Sequence, residues 1–475
     1  MATTRLGLTF ADVLLVPKRT PLSSRTEADV KTKFTKNIQL NIPLVSANMA
    51  TVTEHKTAIA MAREGGLGVI HQFATIEEQV AEIKKVKKST SYVIENPISV
   101  SPTVTIEEAS RMMREEGVTS LLVIENDELV GIFTSRDYLF ETNTQKKISE
   151  VMTPRERLIT APPTIALENA KELLHNHRIE KLPLVEGNKV KGLITTKDIK
   201  KLEQWPDAAR DTKGRLLVGA AIGVKDALER AKAVIDAGAD VLVLDIAHAH
   251  SDYVIQRLKE LKAAFTIDVM VGNIATADAA KDLIEAGADG LKVGIGPSPV
   301  CTTRLIAGAG IPQVTAIMDV VQVAKWYDVP VCADGGMKYP GDVAKAIGAG
   351  ASTIFSGYFF AGTDEAPGMI ILKDGKRYKK YMGSASYDSN HERKESSEKK
   401  QLKERLDIFV EGVSILVDYK GSTSDVIRGL VKGLQSGMSY CGGRNIAEMQ
   451  ANAEFVQITS AGWEESKERG QKLSE

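Results

Sequence analysis

The chain has 475 residues, and its 61 Lys and Arg residues nearly balance 62 Asp and Glu residues, giving a net charge of −1. This balance excludes the basic surface of a nucleic-acid or membrane-surface protein, so we expect neither partner and a local site for any anionic ligand. Three cysteines without paired spacing, and an N-terminus without a basic and then apolar segment, predict a reducing, cytoplasmic location.

Short apolar runs bounded by Gly, Asn or Asp recur along the chain and predict strands buried on both faces. The runs are 42–49, 67–71, 216–222, 241–247, 269–275, 291–297, 329–336 and 352–359. Amphipathic stretches at 224–239, 275–288 and 341–351 end in the small residues and glycine typical of a helix C-terminus. Eight strands alternating with helices predict the α/β class and a closed (β/α)8 TIM barrel rather than an open sheet.

The long gap between the second and third predicted strands contains a duplicated unit at 97–137 and 153–198. Each copy reads as strand, helix, strand, turn and strand, followed by a hydroxyl-bearing pair before Asp137 or Asp198. A duplication is better explained as an inserted module than as a barrel loop. We therefore expect a barrel built from 1–93 and 204–475, with the module at 94–203.

A densely charged stretch at 388–406 reads DSNHERKESSEKKQLKERL and predicts a solvated segment outside the core. Active sites of barrels lie at the carboxyl ends of the strands, where a long polar loop can close over the substrate. We expect an active-site lid at about 384–420, with a plain linker as the alternative.

The segment GIGPSPVCTTR, 294–304, follows the sixth predicted strand and presents Cys301 in a loop. A cysteine at the carboxyl end of a barrel strand has the exposure that a nucleophile needs, whereas Cys332 lies inside an apolar run. A catalytic cysteine and a plain loop cysteine are equally compatible with this position alone.

Glycine-containing turns at 272–273, 334–336, 356–362 and 381–386 also follow strand ends. Backbone N–H groups at such turns bind phosphate without net positive charge. Each motif alone is weak because glycine also closes tight turns, but four at one edge predict a monophosphate ligand.

Several longer segments resemble the IMP dehydrogenase and GMP reductase family along the whole barrel and its tail. They include LTFADVLLVP (8–17), LNIPLVSANMATVTE (40–54), VGIGPSPVCTTR (293–304), GAGIPQVTAI (308–317), AGTDEAPG (361–368) and GLQSGMSYCGG (433–443). The two repeat copies resemble CBS domains, which pair as a tandem (Bateman) module around a cleft for adenine or guanine nucleotides. The resemblance further implies a homotetramer or an octamer.

By this resemblance, Cys301 adds to carbon 2 of IMP, hydride passes to NAD, and hydrolysis of the thioimidate releases XMP. The implied catalytic residues are Cys301, Thr303, which helps to activate water, and Arg393 in the lid. The implied nucleotide contacts are Asp334 at the ribose, Gly336, Gly357 and Tyr381 at the phosphate, Glu411 at the purine edge, and Met49, Tyr358, Gly383 and Ser384 elsewhere on the nucleotide.

The resemblance also implies a cofactor side, a cation site and regulatory positions. The cofactor side comprises Asp245, His248 and Asn273. A potassium site comprises carbonyls of Gly296, Ser298 and Cys301, with Glu465 and Ser466 from a neighbouring subunit. Asp137 and Asp198 match the position that contacts ribose in CBS copies that bind nucleotide, and capping of the following helix is the alternative.

Departures from the family pattern keep other functions open. Ser298 and Pro299 replace a glycine and a serine, and Tyr358 replaces a serine. Arg393 is followed by Lys394 rather than tyrosine, and arginine alone is a poor base.

One alternative is GMP reductase, in which the adduct loses ammonia and NADPH donates hydride, although Tyr387 stands where the reductase glutamate is expected. Another is a non-catalytic regulatory protein that binds nucleotides.

Overall fold

A computed structural model describes residues 4–89, 93–386 and 410–468 of the chain. The predicted lid segment 388–406, with Arg393, and Tyr387 therefore lie outside the described residues. The chain forms two compact units: a barrel unit, Met1–Ser89, Asp207–Asp211 and Leu216–Glu475, and an inserted unit, Thr90–Pro206 and Thr212–Arg215. Within the described residues, none of the helices has the length and apolar character needed to cross a bilayer.

Strands and helices are numbered along the chain. The strands are β1 (Val13–Leu15), β2 (Thr32–Lys33), β3 (Gln39–Leu40), β4 (Leu44–Ser46), β5 (Leu67–Ile70), β6 (Val93–Ile94), β7 (Ser99–Val100), β8 (Ser120–Glu125), β9 (Glu128–Thr134), β10 (Thr153–Pro154), β11 (Lys181–Glu186), β12 (Lys189–Thr195), β13 (Gly219–Ile222), β14 (Val241–Asp245), β15 (Asp268–Ile274), β16 (Gly290–Val293), β17 (Val331–Asp334), β18 (Thr353–Ser356), β19 (Ile371–Lys373), β20 (Lys376–Met382), β21 (Ser414–Asp418) and β22 (Phe455–Gln457). The helices are α1 (His55–Arg63), α2 (Ile76–Ser89), α3 (Ile106–Glu115), α4 (Leu167–Asn176), α5 (Thr196–Glu203), α6 (Ala227–Asp236), α7 (Asp252–Ala264), α8 (Ala277–Glu285), α9 (Thr303–Ile306), α10 (Gln313–Ala324), α11 (Pro340–Gly348), α12 (Thr423–Tyr440), α13 (Ile446–Asn452) and α14 (Ser460–Glu465).

Eight parallel strands close into a barrel in the order β13-β14-β15-β16-β17-β18-β4-β5. Closure depends on two pairings between distant parts of the chain: Ile354 of β18 lies beside Leu44 of β4, and Gly219 of β13 lies beside Val69 of β5. All eight predicted strands are present, and the predicted (β/α)8 barrel is confirmed.

The barrel interior explains why the strand sequences are apolar on both faces. Strand side chains from all around the barrel form one buried cluster, which includes Val45, Val69, Val243, Met270 and Phe355. The outward-facing residues pack against the surrounding helices, so polar side chains are rare in these strands. Each fully buried Val or Leu contributes about 1.5–3 kcal/mol relative to an exposed one.

A buried lysine lies at the amino end of the barrel strands. Lys87, in the last turn of α2, is 5% exposed, and its ammonium lies 2.6 Å from Asp240 Oδ2 and 3.1 Å from Asp211 Oδ2. It also donates to the carbonyl of Leu216 at 2.9 Å. Burial raises the pKa of Asp240, and the charge of Lys87 opposes that shift. We call this group the lower lysine cluster.

The inserted unit is built twice from the same parts. β8 and β9 form one antiparallel hairpin and β11 and β12 form another, and each ladder shifts register at the equivalent place, Val123/Ile124 and Leu184/Val185. One helix packs on each hairpin, α3 on β8 and α4 on β11. Two separate apolar clusters support the halves, and a third, which includes Leu122, Ile132 and Leu193, joins them.

Candidate active site

A cavity of about 820 Å³ opens at the carboxyl ends of the barrel strands. Most of the residues singled out from the sequence of the barrel line it. They are Met49, Asp245, Asn273, Gly296, Ser298, Cys301, Thr303, Asp334, Gly336, Gly357, Tyr358, Tyr381, Gly383, Ser384 and Glu411. These residues come from all around the barrel, and the fold brings them together because parallel strands end at one face.

The cysteine loop, residues 294–302, joins β16 to α9 and carries Cys301 half-buried at the cavity wall. Residues 411–413 lie alongside it in extended contact. The N–H of Val413 donates to the carbonyl of Val300 at 3.0 Å, and the N–H of Thr302 donates to the carbonyl of Glu411 at 2.9 Å. These two backbone hydrogen bonds hold the loop in place, although the loop contains no regular strand.

Three side chains form a hydrogen-bonded chain that ends at the cysteine. Cys301 Sγ lies 3.2 Å from Thr303 Oγ1, and Thr303 Oγ1 donates to Glu411 Oε2 at 2.6 Å. Because the threonine proton is directed to the carboxylate, the threonine oxygen is free to accept the thiol proton. The resemblance implies a purine-edge contact for Glu411, and in the structure its carboxylate accepts from Thr303. This arrangement can move a proton between the thiol and Glu411.

The cavity floor contains a lysine that sequence analysis did not single out. Lys292 of β16 is 2% exposed, and its ammonium lies 2.7 Å from Asp245 Oδ1 and 2.7 Å from Asp334 Oδ2. Asn273 Nδ2 donates to Asp334 Oδ2 at 2.9 Å, and Asn48 Nδ2 donates to Asp245 Oδ2 at 2.9 Å. Burial by itself would lower the pKa of Lys292, but the two carboxylates outweigh it and raise that pKa. We call this group the upper lysine cluster.

The signal for Lys292 was present in the sequence. A lysine near the start of the apolar run 291–297 contradicts burial on both faces unless carboxylates accompany it. Those carboxylates, Asp245 and Asp334, come from other strands, so only the fold identifies them as its partners.

The predicted phosphate end of the cavity is tightly packed. Tyr381 is 2% exposed and its hydroxyl bonds to the side chain of Ser298. Burial raises the pKa of Tyr381, so the hydroxyl keeps its proton and remains a donor. A Cβ at Gly357 would lie 2.5 Å from the Tyr381 hydroxyl, so glycine is required there. Lys420 lies 4.3 Å from the ring centroid of Tyr358 and donates to the Tyr358 carbonyl.

Some predicted residues lie elsewhere. His248 is exposed beyond the end of β14, packs edge-on against His250 and does not line the cavity. Glu465 ends α14 and Ser466 follows it, and neither lines the cavity. Arg393 is outside the described residues. Among the residues that the structure describes, no cluster of three or more His, Cys, Asp or Glu is placed to hold a metal ion.

Asp137 and Asp198 occupy matching positions in the inserted unit. Thr134 Oγ1 donates to Asp137 Oδ2 at 2.8 Å, and Thr195 Oγ1 donates to Asp198 Oδ2 at 2.6 Å. Asp198 lies in the first turn of α5, which agrees with a capping role, but only turns follow Asp137 at 135–140. Helix capping therefore accounts for one of the two positions.

The chain is similar over nearly its whole length to proteins of one family. A model of the IMP dehydrogenase / GMP reductase domain matches residues 7–469. The inosine-5'-monophosphate dehydrogenase of Nitrosopumilus maritimus is 48% identical over 466 residues, covering 97% of each chain. The GMP reductase of Leishmania major is 46% identical over 473 residues, covering 97% of this chain and 96% of that one.

Among solved structures, a cysteine-to-alanine variant of the GMP reductase from Trypanosoma brucei in complex with guanosine 5'-monophosphate has a TM-score of 0.86 and 42% identity, covering 99% of both chains. The family model and these relatives span the barrel unit and the inserted unit alike. The chain belongs to the IMP dehydrogenase and GMP reductase family.

Proposed function

We propose that this chain oxidises IMP to XMP with NAD through a covalent intermediate on Cys301. The observation that carries the proposal is the Cys301–Thr303–Glu411 chain at the wall of a cavity large enough for a nucleotide. Relatives named for both reactions match nearly the whole chain, and the dehydrogenase of Nitrosopumilus maritimus is 48% identical.

In the first half of the reaction, Cys301 Sγ bonds to carbon 2 of the purine and a hydride leaves that carbon. The thiol proton moves to Thr303 Oγ1 as the threonine proton moves to Glu411. NAD, when bound, supplies the hydride acceptor. The product of this half is a thioimidate between Sγ and carbon 2.

In the second half, water adds to carbon 2, the carbon–sulfur bond breaks, and XMP and the free thiol are released. Once Glu411 has released its first proton to solvent, Thr303 and Glu411 can take a proton of that water by the same route and return it to the departing thiolate, which gives hydrolysis a base within the described residues. The overall balance is IMP, NAD and water in, and XMP, reduced NAD and one proton out.

The remaining cavity residues fit a purine nucleotide. Asp334 Oδ2 is occupied by Lys292 and Asn273, while Oδ1 has no partner among the described residues and can accept from ribose hydroxyls. The Gly336 and Gly357 turns, Tyr358 and the Tyr381 hydroxyl would bind the phosphate. Met49, Gly383 and Ser384 would face the base. Past Asp245 the cavity continues to Gln72, Phe73 and 223–226, where the dinucleotide would lie.

We also propose that the chain binds a monovalent cation, which has a structural role and takes no part in the chemistry. Potassium would be held by the carbonyls of Gly296, Ser298 and Cys301, with Glu465 and Ser466 contributed by a second copy. Neither of those two residues lines the cavity within one chain, so the proposed site needs a second copy, and the family resemblance implies a homotetramer or an octamer.

Reduction of GMP is the second candidate, favoured by the likeness to the Trypanosoma brucei GMP reductase along 99% of both chains. The same three residues can serve it. Cys301 Sγ bonds to carbon 2, and ammonia leaves with a proton that Glu411 supplies through Thr303. NADPH would then supply the hydride that displaces Sγ from carbon 2 and frees the thiol. The Arg393–Lys394 sequence, in place of the expected Arg-Tyr pair, also favours this reaction.

Parallel absorbance assays at the nicotinamide band test the proposal, one with IMP and NAD in potassium buffer and one with GMP and NADPH. We expect absorbance to grow with IMP, and Cys301→Ala to abolish the growth. Decay with GMP and no growth with IMP would replace the proposal by the reductase. Binding of IMP without turnover in either assay would make the chain a regulatory nucleotide-binding protein.

We propose that residues about 384–420 form a lid over the cavity. We also propose that the inserted unit is a pair of CBS domains that bind an adenine or guanine nucleotide at Asp137 and Asp198. The two aspartates make matching contacts with a threonine three residues earlier, which supports a common role in the two copies. Asp137→Ala and Asp198→Ala should change the response to ATP and GTP and leave activity without effector unchanged. An unaltered response in both variants would remove this assignment.

A further inference from the structure

Every donor of the Lys292 ammonium has a partner. Its three protons meet Asp245 Oδ1, Asp334 Oδ2 and Asn273 Oδ1, and the ring of Phe355 lies with its centroid 5.0 Å from the nitrogen. The three oxygens belong to three different strands, β14, β17 and β15. A lysine fixed in this way has no freedom to reach a substrate, so its influence must pass through its partners.

The two carboxylates that share Lys292 serve different parts of the cavity. Asp334 ends β17 beside the Gly335–Gly336 turn, whereas Asp245 ends β14 toward 223–226. β15 and β16 separate these two strands in the barrel, so the strands do not set the distance between the carboxylates directly. Without the cation, two carboxylates at a half-buried floor would repel each other, and each would keep only the amide donor on its own side, Asn48 for Asp245 and Asn273 for Asp334.

We propose that Lys292 is a positioning residue that couples the nucleotide site to the dinucleotide site. One ammonium orients the carboxylate that receives the nucleotide ribose and the carboxylate on the cofactor side, so both ligands depend on the same charge. This inference deepens the proposed function and rests on it.

The lower lysine cluster provides a matched control. Lys87 is also buried, also contacts two aspartates and also fills its third donor position, here with the Leu216 carbonyl. It does not line the cavity. Replacement of Lys87 therefore reproduces the loss of a buried cation without touching a ligand site.

The test measures ligand affinities by calorimetry in the full-length Cys301→Ala protein, which binds without turnover: IMP alone, and NAD at saturating IMP. Lys292→Met should weaken both affinities by about 100-fold, since it leaves two half-buried carboxylates without their shared cation. Lys292→Arg, which keeps the charge, should recover most of the loss. Lys87→Met should lower the melting temperature and leave both affinities unchanged.

Lys292→Gln keeps a donor and removes the charge, and gives the same comparison if Lys292→Met does not fold. A loss confined to one ligand, or unchanged affinities, would overturn the coupling. Failure of both neutral variants to fold, while Lys87→Met folds, would assign Lys292 to stability and overturn it as well. Turnover of the wild-type chain decides the proposed function separately, and if GMP is the substrate the ligands become GMP and NADPH.

Discussion

At each end of β14 a buried lysine contacts two aspartates, but the two clusters have different consequences. Asp240, just before the strand, pairs with Lys87, and Asp245, its last residue, pairs with Lys292. Both lysines are buried and each contacts a second aspartate. The lower cluster is closed by a backbone carbonyl, whereas the upper cluster lines the cavity. In a barrel, one end holds the strands together and the other presents side chains to ligands, so position decides what a buried ion pair does.

Cys301→Ala should have the largest effect of any change at the upper end. Removal of the nucleophile should lower kcat/KM by about 10,000-fold or more while nucleotide affinity is retained. Cys332→Ala is the control, since Cys332 is fully buried in β17 and burial raises the pKa of its thiol to about 12. Steady-state rates and calorimetry of both variants measure the difference. Comparable rate losses in the two variants would contradict a special role for Cys301.

Lys87→Met should produce the largest effect at the lower end, and it should fall on stability. Removing one member of a buried ion pair leaves Asp240 without its cation and costs about 3–5 kcal/mol. Urea unfolding measures the free energy of unfolding, and kcat/KM measured below the unfolding transition should stay near the wild-type value. A large fall in kcat/KM of the folded variant would break the contrast between the two ends.

Glu411→Gln should lower turnover by about 100-fold, because it removes the proton acceptor at the end of the Cys301–Thr303–Glu411 chain. Thr303→Val interrupts the same chain, so the double variant should be little slower than either single variant. Single-turnover and steady-state rates of the three proteins form the cycle. Multiplied losses in the double variant would show that the two residues act independently.

Replacement of Lys420 should give the smallest of these effects. Lys420 also shows how much the pKa of a buried lysine depends on nearby carboxylates. Burial lowers its pKa to about 8 from the ordinary 10.5, in contrast to Lys292, whose two carboxylates raise its pKa. Below about pH 8 the folded state must hold a desolvated ammonium, so the free energy of unfolding should rise between about pH 8 and 10.5. Lys420→Met should remove this rise in urea titrations across that range. An unchanged pH dependence would place its source at another group.

Residues near in sequence were predicted well. The eight strands follow from their apolar runs, and the cysteine loop follows from its place after β16. His248 was expected in the cofactor site; it is exposed and does not line the cavity, whereas Ile246 and Ala247 just before it do. A two-residue motif in a turn does not reveal which side chain faces inward.

The sequence by itself determined the alternation of strands and helices, the duplicated insert and the family, because these depend on local periodicity and contiguous motifs. Only the tertiary structure decided the partners of the charged groups. Thr303 and Glu411 are 108 residues apart, and Lys292 and Asp334 are 42 apart. Closure of the barrel brings such residues to one face, and a buried charge takes its pKa and its role from whichever partners arrive there.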